Sequence, residues 1–333
     1  MFVLHSYPWA VVFCVITMFC WGSWANTQKL ARKGWRFELF YWDYTFGVLL
    51  LTLILGFTMG SHGMAGRPFL EDLGQASHSS IHSALIGGII FNLANILLVA
   101  AIDIAGMSVA FPVGIGIALV LGVVVNYIAS PIGNAVLLFG GVLLVVVAII
   151  LDAVAYRRIP GSTGGVTTKG LVLSVACGVL MGTFYRFVAA AMYPDFSHPT
   201  PGKVGPYAAV FILAIGVLIS NFVFNTFVMK KPFVGAPVSY ADYFKGDLRT
   251  HLTGVLGGLI WGVGTSFNII ASGRAGFAIS YGLGQGATMV AAFWGVFIWK
   301  EFRAAPAGTS KLIAAMFACF LVGLALIIVA RMS

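Results

Sequence analysis

The chain has 333 residues, of which 60% are hydrophobic and only 9% are charged, and its formal net charge is +9. An ordinary soluble domain has about a quarter charged residues, so this composition excludes a water-soluble fold. Apolar stretches of roughly 20 residues, each long enough to cross a bilayer as a helix, recur along the whole length. The sequence therefore predicts an all-α polytopic membrane protein.

Ten transmembrane helices are predicted in chain order. They cover residues 8–28, 38–59, 82–102, 106–129, 133–155, 169–191, 206–229, 251–271, 275–298 and 311–331. The very short connections "DIAGMS" and "SPIGN" require the third, fourth and fifth spans to be antiparallel neighbours. The first span lacks a small-residue cleavage site, which indicates a retained helix, and a signal anchor cut after Ala25 is the alternative.

The basic residues are concentrated in alternate connections. Of the 19 Lys and Arg residues, most lie in the connections 1/2, 5/6, 7/8 and 9/10, and the loops on the opposite side contain only Arg67, Lys203, Arg274 and Arg331. The positive-inside rule then places the basic connections in the cytoplasm and both termini outside. The partner of these charges is the anionic inner leaflet of the bilayer. Nucleic acid is not an expected partner, because no folded surface gathers the charges.

Motifs for metals, cofactors and catalysis are missing from the sequence. The histidines of the loop from 60 to 82 have no metal-ligand spacing, and no catalytic constellation lies at a common depth. We therefore predict that the chain is not an enzyme and takes no cofactor and no metal. The four cysteines all fall inside apolar spans, which indicates buried thiols: Cys14, Cys20, Cys177 and Cys319.

The two halves of the chain are related in sequence by two alignments. The first repeat alignment pairs Gly87 with Gly257 and matches "GGIIFNLANILLVAAIDIAGMSVAFPVGIGIALV" to "GGLIWGVGTSFNIIASGRAGFAISYGLGQGATMV" without a gap. The second repeat alignment pairs Cys20 with Leu180 and matches "CWGSW" to "LMGTF". Five spans per half give an odd number of crossings, so the second half is inverted.

This repeat predicts the domain organisation. We predict a 5+5 inverted repeat, with repeats at 1–155 and 169–333 and a cytoplasmic linker at 156–168. Secondary transporters commonly have this architecture, with the substrate site at the repeat interface. A duplicated packing unit without a transport function is the alternative.

Three stretches carry a family resemblance: "FELFYWDYTFGVLLL" (37–51), "AIDIAGMSVAFPVGIGIALVLGVVVNY" (101–127) and "FWGVFIWKEF" (293–302). They resemble the glucose/ribose porter and ureide permease branches of the drug/metabolite transporter superfamily. The resemblance implies a 5+5 helix bundle that moves small polar solutes, commonly sugars or ureides, with proton coupling. Plant ureide permeases carry a long central cytosolic loop, whereas this loop is only "YRRIPGSTGGVTTKG". The short loop favours a sugar-type porter of a bacterial inner membrane.

Polar side chains at the depth of the spans are costly and usually face the interior of a helix bundle. Amide and hydroxyl groups beside aromatic rings suit a neutral polyol or a purine-like ring, because they both donate and accept hydrogen bonds. Hydrogen bonds between helices are the alternative role for each of them. The predicted substrate-binding residues of spans three, eight and nine are Asn92, Asn95, Trp261, Thr265, Asn268, Tyr281 and Gln285.

Gln285 carries the most specific of these predictions. It lies near the middle of span nine, one helical turn from Tyr281. We expect the flanking Gly284 and Gly286 to leave space around its amide for a substrate. Its counterpart in the first repeat is Ile115, so the predicted site is asymmetric.

Charged residues within the spans have two interpretations each. Arg186 either reaches the cavity and binds or gates the substrate, or it extends to the outer face of the membrane. Asp43 is the candidate for proton coupling, and an ion pair with Lys29 or Arg32 is the alternative. Two further carboxylates at cytoplasmic helix ends are interpreted as structural: Asp103 and Asp152.

The predicted function is secondary-active uptake of a small neutral polar solute, a ribose- or glucose-type sugar, by proton-coupled alternating access. A ureide or nucleobase/nucleoside permease is the first alternative, and a drug or metabolite exporter is the second. The expected partners are this substrate, protons and the lipid bilayer. The chain is expected to be a monomer or a homodimer.

Overall fold

The computed structural model describes residues 1–160 and 167–332. Within these residues, ten helices are long and apolar enough to cross a membrane, which confirms the predicted all-α membrane fold. They are α1 (Tyr7–Leu30), α2 (Phe37–Phe57), α3 (His78–Ala105), α4 (Pro112–Ala129), α5 (Ala135–Arg157), α6 (Thr168–Ala191), α7 (Pro206–Lys230), α8 (Leu248–Ala275), α9 (Phe277–Ile298) and α10 (Thr309–Val329).

The connections between these helices are short or partly helical. Short helices at Phe69–Gly74 and Tyr240–Tyr243 lie in the connections α2/α3 and α7/α8. Residues 161–166 of the predicted linker lie outside the described residues. The last part of α1, Trp24–Leu30, is a tighter 3₁₀ helix.

Side-chain caps and two glycines set several helix ends. The Asn134 side chain accepts hydrogen bonds from the first turn of α5, and Asp247 does the same for α8. Gly106 and Gly276, with φ angles of 77° and 86°, follow the ends of α3 and α8. A side chain is disfavoured in this conformation, so glycine permits the sharp turn into the next span. The first repeat alignment places these two glycines at equivalent positions.

Helix packing is consistent with the predicted repeat. Helix α3 of the first half packs on α6 and α7 of the second half, and α8 of the second half packs on α1 and α2 of the first half. Likewise α4 packs on α6, and α9 packs on α1. If each helix is replaced by its counterpart in the other half, the contacts of α3 become those of α8, and the contact between α4 and α6 becomes the contact between α9 and α1. The pairs α2/α7 and α5/α10 each join two equivalent helices.

Two helices are irregular at equivalent positions. A π-helical turn at Phe111–Ile115 forms the start of α4. Helix α9 is interrupted at Gln285 and Gly286, between the segments Phe277–Gly284 and Ala287–Phe293. The first repeat alignment superposes the π turn on positions 281–285. Irregular backbone at membrane depth is tolerated where it is buried in protein or lines a cavity.

Candidate functional site

A cavity of about 350 Å³ lies between the two halves and receives residues from both of them. Its size is at the lower end of the range of roughly 300–1,000 Å³ for small-molecule sites. Its aromatic lining residues are Trp21, Trp24, Phe37, Phe91, Phe184 and Trp261, and most of the others are aliphatic or glycine. Polar side chains are few and separate: Gln28, Asn95, Asp103, Gln285 and Thr288. We refer to this space as the central cavity.

Equivalent residues of the two halves line the central cavity together. Phe91 and Trp261 are equivalent in the first repeat alignment, and their rings lie 4.4 Å apart at an angle of 30°. Three further pairs that the two alignments match also line the cavity: Ile115 with Gln285, Trp21 with Met181, and Trp24 with Phe184. This pairing is consistent with a site at the repeat interface.

Gln285 lines the central cavity at the interruption of α9, where regular helical packing stops. Its side chain is 8% exposed and makes no hydrogen bond with any described residue, so its amide is available to a solute. The flanking glycines do not leave open space as expected. A Cβ at Gly284 would lie 2.7 Å from the Trp21 ring, and one at Gly286 would lie 3.0 Å from the Met18 side chain. These glycines let neighbouring side chains pack closely on α9.

Asn95 and Trp261 are the other predicted residues that line the central cavity. The amide nitrogen of Asn95 donates to the Tyr41 hydroxyl over 3.1 Å. This bond holds the side chain in place at the cavity wall. Trp261 contributes an aromatic ring that packs against Phe91 at an angle of 30°.

Four predicted residues lie behind the cavity wall and make hydrogen bonds between helices. The Asn92 amide donates to Ser220, and the Asn268 amide donates to the Ser280 carbonyl. Thr265 accepts from the Trp21 indole over 3.0 Å. The remaining hydroxyl, that of Tyr281, donates to the carbonyls of Ala118 and Met181. Their geometry supports the alternative role of stabilising the bundle.

Arg186 lies just over one turn before the end of α6 and is half-buried. It lines neither the central cavity nor the second cavity described below. In the described part of the chain its guanidinium has no hydrogen-bonded or ion-paired partner. This position supports the interpretation in which the long side chain extends toward the outer face.

Asp43 belongs to a buried cluster near the start of α2. Its carboxylate accepts from the Tyr243 hydroxyl over 2.6 Å and lies 2.9 Å from the His251 ring nitrogen. The alternative of an ion pair with Lys29 or Arg32 is therefore wrong, and Lys29 instead lies 3.8 Å from Glu301. Burial and the bond to Asp43 raise the pKa of the Tyr243 phenol, so it keeps its proton and donates.

A second cavity of about 450 Å³ adjoins the central cavity. Most of its other lining residues come from the connections α1/α2 and α7/α8, which belong to the basic side of the molecule. Arg36 holds this region together: it pairs with Glu38 and donates to the carbonyls of Val234 and Ala236. We call this space the vestibule. Four residues line both spaces, and we call them the neck: Gln28, Phe37, Val99 and Asp103.

Sequence reasoning missed several residues of the central cavity. Asp103 was interpreted as structural, but it lies at the neck. The sequence contained an indication for Trp21 and Trp24, because the second repeat alignment matches them with Met181 and Phe184 of the other half. No sequence feature indicated Phe37 as a cavity residue, because it lies at the very start of α2, where aromatic residues commonly mark the membrane interface.

The chain matches known proteins over most of its length. The profile of the family described as Ureide permease matches residues 40–162 and 156–330, which is most of the chain. Ureide permease 1 of Arabidopsis thaliana is 22% identical over 98% of this chain and 98% of its own length. Ureide permease 2 of the same plant is 23% identical over the same shares. Probable ureide permease A3 of Vigna unguiculata is 22% identical over 90% of this chain and 97% of its own.

The structural comparison concerns the fold alone. A solved structure described as "Crystal structure of protein" superposes with a TM-score of 0.61 at 15% identity, and covers 97% of this chain and 98% of that one. The sequence matches support the ureide permease part of the predicted resemblance and give no support to the glucose/ribose porter part. They also indicate a transporter and not an enzyme. The chain belongs to the ureide permease family.

Proposed function

We propose that the protein carries small, neutral, flat solutes with urea or cyclic amide groups, that is ureides or nucleobases, across the membrane by alternating access. This proposal takes the first alternative of the sequence analysis as the main function. The single observation that carries it is the composition of the central cavity: aromatic rings from both halves of the chain, together with separate amide side chains.

The chemistry of such solutes complements this lining. A ureide or nucleobase has flat faces that stack on aromatic rings, and its polar groups lie along its edges. The amides of Gln285 and Asn95 can both donate to and accept from N–H and C=O groups at such an edge. A sugar carries hydroxyl groups all around its ring and would leave many of them unpaired against these walls.

The position of the two cavities supports alternating access. The central cavity adjoins the vestibule on the basic side of the molecule, which the positive-inside rule assigns to the cytoplasm, so the conformation is inward-open in this proposal.

Coupling to protons is part of the same proposal. Asp43 is its candidate site, because a carboxylate with a histidine partner is a titratable pair beside the cytoplasmic surface.

Transport into proteoliposomes tests the function. The purified full chain is reconstituted, and uptake of labelled allantoin, uracil, ribose and glucose is measured with and without an inward proton gradient. We expect saturable uptake of allantoin or uracil that the gradient increases and that excess unlabelled ureide inhibits. Saturable uptake of ribose or glucose that allantoin does not inhibit would contradict the proposal.

A further inference from the structure

The neck combines a carboxylate, an amide and an aromatic ring at the junction of the two cavities. Asp103, Gln28 and Phe37 each line both the central cavity and the vestibule. A solute that moves from the central cavity into the vestibule therefore passes these side chains. The proposed function counts Phe37 and Gln28 among the lining of the central cavity, but it gives Asp103 no role.

The carboxylate of Asp103 has no neutralising partner. Among the described residues it accepts no hydrogen bond and forms no ion pair. The nearby charges that act on it are Glu38 and Arg36, and these two groups pair with each other. Asp103 is also the one ionisable side chain among the described residues that line the central cavity. A free carboxylate facing the pathway is an acceptor for a ligand with N–H donors.

The neck is separate from the amide site deeper in the cavity. Asn95 and Asp103 lie on the same face of α3, because positions eight apart in a helix are about two turns apart. The helical rise then separates them by about 12 Å along the axis. A small solute held at Asn95 and Gln285 does not fill the neck, so the two places can bind different parts of one molecule.

We propose that the neck is a second binding subsite, specific for an open urea group. In a urea group of the type –NH–CO–NH₂, two N–H bonds point in the same direction. They match the two oxygens of a carboxylate in the same way as the N–H fork of an arginine side chain does. Asp103 accepts both N–H bonds, the Gln28 amide is placed to donate to the urea oxygen, and Phe37 supplies a flat surface beside the group. This inference rests on the proposed function and specifies which ureides the pathway prefers.

A pair of probes separates the neck from the deeper site. Allantoin carries a hydantoin ring and a urea arm, whereas hydantoin is the ring alone. Binding of both probes to the purified full chain is measured by calorimetry, and folding is followed by thermal unfolding. We expect wild type to bind allantoin more tightly than hydantoin. Asp103→Asn should weaken allantoin binding about 10- to 100-fold, the range for a hydrogen bond to a charged group, and leave hydantoin binding unchanged.

Asp152→Asn is the matched control. Asp152 is also a carboxylate near the cytoplasmic end of a span, but it lines neither the central cavity nor the vestibule. This variant should bind both probes as wild type does. A probe-side test does not depend on any variant: allantoin dimethylated on the terminal nitrogen of its arm lacks one donor of the fork, so wild type should bind it no more tightly than hydantoin.

Two results would overturn the neck subsite while leaving the proposed function intact. One is an equal loss of allantoin and hydantoin binding in Asp103→Asn, which would mean that Asp103 shapes the whole cavity. The other is unchanged allantoin binding in that variant or for the dimethylated probe. If wild type binds neither probe, the proposed function is wrong and the subsite falls with it.

Discussion

Asn92 and Gln285 are both amide side chains in apolar helices, and the structure uses them differently. The Asn92 nitrogen donates to Ser220 of α7, whereas the Gln285 side chain has no partner among the described residues and reaches the central cavity. An amide buried without a hydrogen bond is costly in a protein interior. The partner comes from a distant part of the chain, so the sequence alone could not separate the two roles.

Replacing Gln285 with Leu should weaken substrate binding and leave the fold intact. We expect a loss of about 1 to 3 kcal/mol in binding, the cost of leaving a polar partner unpaired, with a thermal unfolding midpoint near that of wild type. Asn92→Leu should do the reverse, because it breaks the bond to Ser220. Calorimetry and thermal unfolding of both variants check this. A Gln285→Leu protein that unfolds early but binds normally would show that Gln285 stabilises the bundle.

Replacing Asp43 with Asn tests proton coupling. The amide keeps the shape of the carboxylate but cannot titrate, so gradient-driven accumulation should be abolished while exchange of substrate continues. Counterflow and gradient-driven uptake in proteoliposomes separate these two activities. Accumulation that persists would mean that coupling lies elsewhere or that the protein is a uniporter.

At the scale of helices, two equivalent glycines set how closely the elements pack. A Cβ at Gly258 of α8 would lie 2.0 Å from the Tyr44 carbonyl oxygen of α2. A Cβ at Gly88 of α3 would lie 2.1 Å from the Leu213 carbonyl oxygen of α7. Small residues allow such close contact between membrane helices, where van der Waals packing is a main source of association. The sequence repeat predicted that these glycines were equivalent.

Gly258→Ala and Gly88→Ala should each destabilise the protein, because the new methyl group meets backbone atoms that cannot move independently. Overpacking of this kind costs about 1 to 3 kcal/mol, which should lower the thermal unfolding midpoint. Gly140→Ala is the control, since a Cβ there meets nothing within 4 Å. A Gly258→Ala protein as stable as the control would show that α2 and α8 can move apart without cost.

Hydropathy predicted the ten spans within a few residues, because bilayer thickness imposes a length on every helix. The irregular turns at Phe111–Ile115 and Gln285 were not predicted. Both lie inside continuous apolar stretches, and hydropathy measures composition without reporting which backbone hydrogen bonds are made. The backbone of the structure shows that these two irregular turns lie at positions that the first repeat alignment matches.

At the scale of the whole molecule, the charge distribution makes a prediction about orientation. The α7/α8 connection should be cytoplasmic and the α6/α7 connection external. Single cysteines at Ala236 and His198 test this in a background without the four native cysteines. A membrane-impermeant reagent added to intact cells should label position 198 and not position 236. The opposite pattern would reverse the topology and place the vestibule outside.

The predicted site was partly recovered because depth in the membrane is visible in sequence. Asn95, Trp261 and Gln285 lie at the right depth and also face the central cavity. Tyr281 and Asn268 lie at the same depth but face neighbouring helices. The rotation of each helix about its axis decides between these outcomes. Uniformly apolar spans carry little information about that rotation, because their lipid-facing and protein-facing sides are similar in composition.

The neck has no polar counterpart in the second half of the chain. The two repeat alignments, continued along the chain, place Val188 opposite Gln28 and Gly273 opposite Asp103. The Phe196 ring of the α6/α7 connection covers Gly273 so closely that a Cβ would lie 2.6 Å from it. An outward-open conformation would therefore have glycine, and not a carboxylate, at the position equivalent to Asp103.

This difference between the two mouths affects the kinetics of transport. A solute with a urea arm would show a lower half-saturation concentration on the cytoplasmic face than on the external face. When no gradient is coupled, detailed balance requires the maximal rate divided by the half-saturation concentration to be equal in the two directions. The two maximal rates therefore differ by the same factor as the two half-saturation concentrations. An asymmetric mouth therefore changes the speed of each half-cycle and not the final distribution of solute.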